Sequence, residues 1–306
     1  MKGRPTRREV LLAGTTLAAG GFVAAHPQNA AVAAIDPIKR NGASKIKLSL
    51  AAYSFRDQLT GKKEPKWTLD EFIDFCAAQG LDGTELTGYY FPKEITPEYL
   101  AHIKRKTFLL GLDVSGTAIA NVFTHPPGPE RDKQIAHVKQ WSDYAAAFGA
   151  PCIRIFSGDV PKGHTEAEAI RWFVEATEEC CQYAGQRGVF LALENHGGIS
   201  VPVERLVSIV REVRSPWFGV NLDTGNFNSE DPYADMAKVA PYAVTVQVKT
   251  EVSPKGSSKQ PADLARVIRI LRDANYRGYV ALEYEAAEDA NTAVPRHLAE
   301  LRKLIG

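Results

Sequence analysis

Short apolar stretches alternate with longer amphipathic ones from about residue 46 to the end of the chain. Apolar runs of four to eight residues are typical of buried strands, and apolar side chains spaced three and four apart are typical of helices. The pattern predicts eight strands, at 46–52, 82–86, 112–119, 151–156, 189–194, 217–222, 243–249 and 279–284. It predicts eight helices, at 68–79, 97–110, 130–148, 165–187, 202–213, 232–239, 261–274 and 290–304.

Local start and stop signals support these helices. Thr68 stands three residues before Glu71, which is the spacing of a capping box at a helix start. Pro97 begins the second helix, where a proline loses no helical hydrogen bond. Glycines follow four of the predicted helices, where a left-handed cap favours glycine: Gly80, Gly111, Gly149 and Gly188.

Eight strands that alternate with eight helices predict a parallel sheet covered by helices. A closed barrel and an open doubly wound sheet share this element order. The count of eight units, and the absence of G-x-G-x-x-G after the first strand, favour the barrel. We therefore predict an α/β protein with a single (β/α)8 TIM barrel at 46–306, preceded by a linker at 35–45.

Composition and charge exclude some functions. The 44% of hydrophobic and 24% of charged residues are typical of a folded globular protein. The 37 basic and 36 acidic residues include four and one, respectively, in the first 34 positions, so the remaining chain has a formal charge of −2. This is not the charge of a nucleic-acid-binding protein. The four cysteines lack a C-x-x-C spacing and are expected to be buried free thiols.

The first 34 residues contain the three parts of an export signal in order. Residues 6–12 resemble the twin-arginine motif, with Arg7 and Arg8 side by side, and a mildly apolar stretch follows at 10–25. Residues 31–33 offer an A-x-A cleavage site. We expect a twin-arginine-type signal segment at 1–34 and a periplasmic or exported protein. The apolar stretch is too short for a stable membrane span.

Polar side chains at the strand ends predict the active site, because the carboxyl ends of the strands form the catalytic face of a barrel. Side chains alternate along a strand, so Gln247 and Lys249 face the interior of the barrel. Glu194, Asp223 and Glu283 end three of the neighbouring strands. Converging carboxylates repel one another, and a bound divalent cation would neutralise them.

Five more positions are candidates for substrate contacts. Glu85 ends the second strand, Arg154 points inward from the fourth, and His196 shares a face with Glu194. His125 lies in the loop after the third strand. Lys249 completes this set and, with Arg154, supplies positive charge.

These segments together resemble the xylose isomerase-like barrel superfamily of sugar phosphate isomerases and epimerases. The resemblance rests on 85–87, 193–196, 221–226, 246–249 and 281–284, and covers about 46–304. It implies a divalent metal held by Glu194, Asp223, Gln247 and Glu283. Gln247 departs from the family's histidine, and the resulting all-oxygen set favours Mn²⁺ or Mg²⁺, with Zn²⁺, Co²⁺ or Ca²⁺ as alternatives.

The resemblance also implies a mechanism. The metal polarises a substrate carbonyl, and Glu194 and Glu283 remove and return a proton through an enediolate. This predicts an exported, metal-dependent sugar isomerase or epimerase. An exported enzyme does not meet intracellular sugar phosphates, so we expect a non-phosphorylated sugar or polyol as the small-molecule carbohydrate substrate.

Other functions stay open. The same enolate can expel a leaving group, which would make the protein a lyase, dehydratase or hydrolase acting on a keto-sugar or keto-glycoside. If Gln247 marks a decayed metal site, the protein is a non-catalytic sugar-binding protein. A DNA-repair endonuclease with this barrel would need many histidines and a basic face, and the chain has seven histidines and little net charge. The sequence is compatible with an oligomer.

Overall fold

The computed structural model describes residues 36–306, in which eight parallel strands close into a barrel. The barrel strands are β1 (Lys45–Ala51), β2 (Gly83–Thr87), β3 (Asp113–Ala118), β4 (Cys152–Ile155), β5 (Phe190–Glu194), β6 (Phe218–Asp223), β7 (Ala243–Val248) and β10 (Arg277–Leu282). They lie in the order β1-β10-β7-β6-β5-β4-β3-β2 around the barrel. This confirms the predicted α/β class and the TIM barrel. The signal segment expected at 1–34 lies outside the described residues.

The helices follow the strands in sequence. They are α1 (Arg56–Leu59), α2 (Leu69–Ala78), α3 (Pro97–Leu109), α4 (Pro129–Phe148), α5 (Glu166–Gly185), α6 (Val203–Glu212), α7 (Pro232–Val239), α8 (Leu264–Asp273) and α9 (Ala290–Ile305). Thr68 and Thr165 each form a capping box, at the starts of α2 and α5. The predicted helix boundaries therefore agree with the structure to within three residues.

A hairpin between β7 and α8, and the later start of α8, were not predicted. A small antiparallel hairpin forms from β8 (Glu251–Val252) and β9 (Gln260–Pro261). Because the second hairpin strand includes residues 260 and 261, α8 begins later than the predicted position 261. Asp263 provides its N-cap by accepting a hydrogen bond from the amide of Arg266 at 2.8 Å.

The described part of the expected linker, residues 36–44, packs against the amino-terminal end of the barrel. Ile38 donates its amide to the carbonyl of Pro241 at 2.9 Å, just before β7. The Ser44 hydroxyl donates to the carbonyl of Tyr276 at 2.6 Å, just before β10. Hydrogen bonds thus tie this segment to the amino-terminal end of the barrel.

The four cysteines are all free and buried, as expected. They lie on or beside core elements, so their thiols behave as apolar filler. Within residues 36–306, no helix is both long enough and apolar enough to span a membrane.

Candidate active site

The predicted strand-end residues meet at the carboxyl-terminal mouth of the barrel. Each side chain is at least nine-tenths buried: Glu85, Arg154, Glu194, Asp223, Gln247, Lys249 and Glu283. Burying so many charged groups is unfavourable unless they are paired with opposite charge or hydrogen-bonded. The contacts among them therefore decide the chemistry of the site.

The ends of β5, β6 and β7 are fixed by hydrogen bonds that extend the strand pairing. The Asn195 side chain donates to the carbonyl of Asp223 at 2.8 Å and accepts from its amide at 2.9 Å. The Thr224 hydroxyl accepts the amide of Lys249 at 2.9 Å. These bonds hold the backbone of Asp223 and Lys249 at the mouth.

Arg154 and Glu194 form a buried ion pair across the β4–β5 edge. Nε of Arg154 lies 2.9 Å from Oε2 of Glu194. The guanidinium lies 4.0 Å from the ring centroid of Phe156, a cation–π arrangement. The other oxygen of Glu194 accepts a hydrogen bond from Nδ2 of Asn226 at 2.9 Å. The Glu194 carboxylate is thus held by one ion pair and one hydrogen bond.

Lys249 places its ammonium among three carboxylates. Its Nζ lies 3.3 Å from Oδ2 of Asp223 and 3.4 Å from Oε2 of Glu283. It also donates a hydrogen bond to Glu285, which lies beyond the end of β10. The positive charge of Lys249, at the end of β7, therefore attracts carboxylates at the ends of β6 and β10.

Gln247 lies between two other polar side chains. Its Oε1 accepts a hydrogen bond from Nδ2 of Asn221, and its Nε2 donates to Oε1 of Glu85, both at 2.7 Å. The amide thus uses its carbonyl oxygen and one N–H within the barrel.

The carboxyl groups of the site hold their protons more tightly than ordinary ones. Burial raises the pKa of Glu85 to about 8, and the neighbouring charge of Glu283 adds to the effect. Burial raises the pKa of Glu194 to about 7, although Arg154 opposes it. Burial also raises the pKa of Glu283, with Lys249 opposing. Carboxyl groups of this kind suit proton transfer near neutral pH.

The two histidines predicted as substrate contacts lie away from this network. His196 is exposed just after β5, and its ring packs against that of Phe156 at an interplanar angle of 41°, with centroids 4.6 Å apart. His125 is half-buried in the loop after β3. Within residues 36–306, neither ring forms a hydrogen bond or ion pair with a carboxylate of the site. Their contact with substrate stays a prediction.

The four residues that the resemblance assigns to a divalent metal do not present a free set of ligands. Asp223 and Glu283 face the Lys249 ammonium, and Glu194 faces Arg154. The carbonyl oxygen of Gln247 accepts from Asn221. Over the described range 36–306, no group of three or more His, Cys, Asp or Glu side chains is arranged to hold a metal ion. In the described residues these four side chains therefore face protein groups, and their binding of a metal ion stays a prediction.

Sequence reasoning missed several contributors to the site, among them Asn226 and Glu285. Glu285 comes two residues after Glu283, and this spacing places both side chains on one face of an extended chain. That spacing was a usable signal. Asn226 lies in a loop, where no periodicity indicates which side chain turns inward.

A family model for the xylose isomerase-like TIM barrel matches residues 73–304, most of the chain. The chain belongs to this family. No curated protein matches the sequence at a significant level.

Solved structures share the fold at low sequence identity. The 3-keto-D-glucoside 4-epimerase of E. coli is 16% identical, with a TM-score of 0.67 over 85% of this chain and 100% of its own. A D-psicose 3-epimerase is 17% identical, with a TM-score of 0.67 over 85% and 96%. The protein IolI, solved with a zinc atom, is 18% identical, with a TM-score of 0.67 over 84% and 96%. At these identities the similarity establishes the fold.

Proposed function

We propose that the protein is an exported isomerase or epimerase of a non-phosphorylated sugar or polyol. The observation that carries the proposal is the placement of Glu194 and Glu283. They are buried carboxylates on β5 and just after β10, which are separated by two strands in the eight-stranded barrel. They therefore reach the mouth from two different strands, near enough that the charge of Glu283 helps to raise the pKa of Glu194.

In the proposed reaction, one of these carboxylates removes a proton from the carbon beside the substrate carbonyl. If the other carboxyl group returns the proton to the opposite face of the same carbon, the product is the epimer. If the proton goes instead to the former carbonyl carbon, and the proton of the neighbouring hydroxyl moves to the former carbonyl oxygen, the product is the isomer. Arg154 and Lys249 place positive charge beside the two carboxylates, where negative charge develops on the substrate oxygen. The proposed step uses these side chains alone, without the Mn²⁺ or Mg²⁺ ion that the resemblance implies, because Lys249 and Arg154 already form ion pairs with three of the expected ligands.

The substrate class rests on two arguments. Two of the similar structures are epimerases whose names specify unphosphorylated substrates, a 3-keto-D-glucoside and D-psicose. The export signal read from residues 1–34 would place the protein where free sugars and glycosides are the available carbohydrates. Both arguments favour a keto-sugar or keto-glycoside without phosphate.

The main experiment measures exchange of substrate C–H for deuterium. The purified full chain is incubated in deuterated water with a panel of free ketohexoses, 3-keto-glucosides and keto-inositols, and exchange is followed by NMR. We expect exchange with at least one substrate, and a loss of about 10²-fold or more in Glu194→Gln and Glu283→Gln. Glu204→Gln, an exposed carboxylate on α6, is the matched control and should keep the wild-type rate.

Other outcomes separate the remaining functions. Exchange followed by release of an aglycone or water would indicate a lyase, dehydratase or hydrolase. Binding without exchange would indicate a sugar-binding protein. No exchange and no binding with the whole panel would contradict the proposal.

Export is tested separately. Replacing both Arg7 and Arg8 by lysine in the full chain, expressed in a bacterium with a twin-arginine pathway, should move the protein from the periplasmic to the cytoplasmic fraction. An unchanged distribution would argue against this export route.

A further inference from the structure

We propose that Lys249 is the built-in cation of this site, and that its ammonium performs the charge-neutralising role for which the resemblance predicts a divalent metal. The inference deepens the proposed function, since it concerns the same mouth of the barrel. It predicts an enzyme that needs no added metal ion. It rests on the position of the ammonium, on the space made for its side chain, and on the partners of the four expected ligands.

The ammonium stands where a cation is expected. It lies 3.3 Å from Asp223 and 3.4 Å from Glu283, which are two of the four residues that the resemblance assigns to metal binding. Both carboxylates are almost fully buried. Oδ2 of Asp223 is buried and accepts no hydrogen bond, so this ammonium is the cation that faces it. A metal ion bound to the same two oxygens would have to displace the ammonium.

The surrounding chain makes room for this lysine. A Cβ added at Gly225 would lie 2.5 Å from Cγ and 2.8 Å from Cβ of Lys249, so only glycine allows the side chain to pass. The Thr224 hydroxyl fixes the Lys249 backbone amide. Glu285, which is outside the family's ligand set, accepts a hydrogen bond from the ammonium. Three neighbours thus direct Lys249 toward the carboxylates.

The other two expected ligands face protein groups as well. Oε2 of Glu194 faces Nε of Arg154 at 2.9 Å, and its other oxygen accepts from Asn226. Oε1 of Gln247 accepts from Asn221 at 2.7 Å. Where a histidine would offer a nitrogen lone pair, this chain has an amide that hydrogen-bonds on both sides. Together, the contacts replace metal coordination with hydrogen bonds and ion pairs.

In the proposed reaction, every proton and electron pair is accounted for without a metal ion. A carboxylate removes the proton, the C–H electron pair forms a carbon–carbon double bond, and the carbonyl π electrons move onto oxygen. The Lys249 ammonium donates a hydrogen bond to that oxygen. Glu285 has 34% of its side chain exposed, the most of the three carboxylate partners, so the substrate oxygen reaches the ammonium by displacing it. Returning the proton to carbon reverses each of these changes.

Manganese binding tests the inference directly. The purified full chain is treated with EDTA, dialysed, and titrated with Mn²⁺, while free Mn²⁺ is measured by its EPR signal and stability by thermal melting. We expect the wild-type protein to leave the free Mn²⁺ signal unchanged and to melt at the same temperature. Lys249→Met should gain a site, because it frees Asp223, Glu283 and Glu285. Its melting temperature should rise by about 5 °C at a hundredfold excess over Kd.

The matched control is Lys238→Met. Lys238 also contacts two carboxylates, of Glu204 and Asp235, but on the outer helices. It should gain no Mn²⁺ site. Stoichiometric Mn²⁺ binding by the wild-type chain at micromolar concentration would overturn the inference. If Lys249→Met fails to fold, the wild-type titration alone decides.

The test is independent of the proposed function. In the deuterium exchange assay, EDTA-treated wild-type protein should keep its full rate, Lys249→Met should lose at least tenfold, and Lys249→Arg should recover part of the loss. If no sugar supports exchange under any condition, the proposed function fails, while the Mn²⁺ titration still decides whether the lysine or a metal is the resident cation.

Discussion

Buried carboxyl groups outnumber buried basic groups at the mouth of the barrel. Glu85, Glu194, Asp223 and Glu283 are accompanied by Arg154 and Lys249. The excess of acids, and their burial, explain why several of these carboxyl groups have raised pKa values. Each basic side chain is therefore necessary for the stability of the site as well as for its chemistry.

This dependence predicts a strong effect of removing Arg154. Arg154→Met leaves Glu194 buried without its cation, so the free energy of unfolding should fall by about 3 kcal/mol or more. Adding Glu194→Gln should restore much of the loss, because the uncompensated charge is removed as well. Urea denaturation of the two single variants and the double variant measures this coupling. Arg171→Met, which breaks an exposed pair with Glu175, should change stability by less than about 0.5 kcal/mol. A small effect of Arg154→Met would contradict the ion pair.

The cysteines give a pH-dependent prediction at the same scale. Burial raises the pKa of the Cys76, Cys152 and Cys180 thiols to about 12, and that of Cys181 further. Thiolate is the reactive form, and a raised pKa keeps the thiol protonated until the pH approaches the new value. The native protein should therefore react slowly with Ellman's reagent at pH 8, and all four thiols should react at once after denaturation. Fast reaction of even one thiol in the native protein would place it at the surface.

At the scale of single elements, local sequence patterns predict where most of the strands and helices lie. Most of the barrel strands were predictable because they are short apolar runs, although β2 (GTELT) and β3 (DVSGTA) are largely polar or small. The helix starts were predictable because capping residues are local signals. The hairpin of β8 and β9 was not predictable, since two strands of two residues carry no periodicity. The short helix α1 was not predicted for the same reason, because its four residues make a single turn and show no periodicity.

The capping boxes allow a quantitative test of these local signals. At the start of α5, Thr165 accepts the amide of Glu168, and the Glu168 carboxylate accepts the amide of Thr165 at 2.8 Å. Thr165→Ala should lower the free energy of unfolding by about 1 kcal/mol, because the amide of Glu168 loses its acceptor. Thr292→Ala, at an exposed position of α9, should have almost no effect. Equal effects of the two substitutions in urea denaturation would show that the cap contributes nothing.

At the scale of the whole molecule, the sequence could locate the site but could not determine its internal contacts. Period-two alternation and the barrel topology together predict that Glu194, Asp223 and Glu283 converge, and they do. Whether Lys249 neutralises those carboxylates depends on the path of its side chain past Gly225, which only the packed structure defines. The same holds for Gln247, whose two hydrogen bonds reach β2 and β6 across the interior.

The last prediction concerns residues 36–44, which were expected to be part of a linker and which form hydrogen bonds with the barrel. Besides the bonds of Ile38 and Ser44, its carbonyl groups at Asn41 and Ala43 accept hydrogen bonds from Arg277 at 2.8 and 3.0 Å. A chain that begins at residue 45 loses these four bonds, at about 1 kcal/mol each, so its free energy of unfolding should be about 4 kcal/mol lower than that of a chain that begins at residue 36. Urea denaturation of the two chains provides the comparison. Equal midpoints would mean that the base of the barrel is stable without this segment, and that 36–44 is a linker after all.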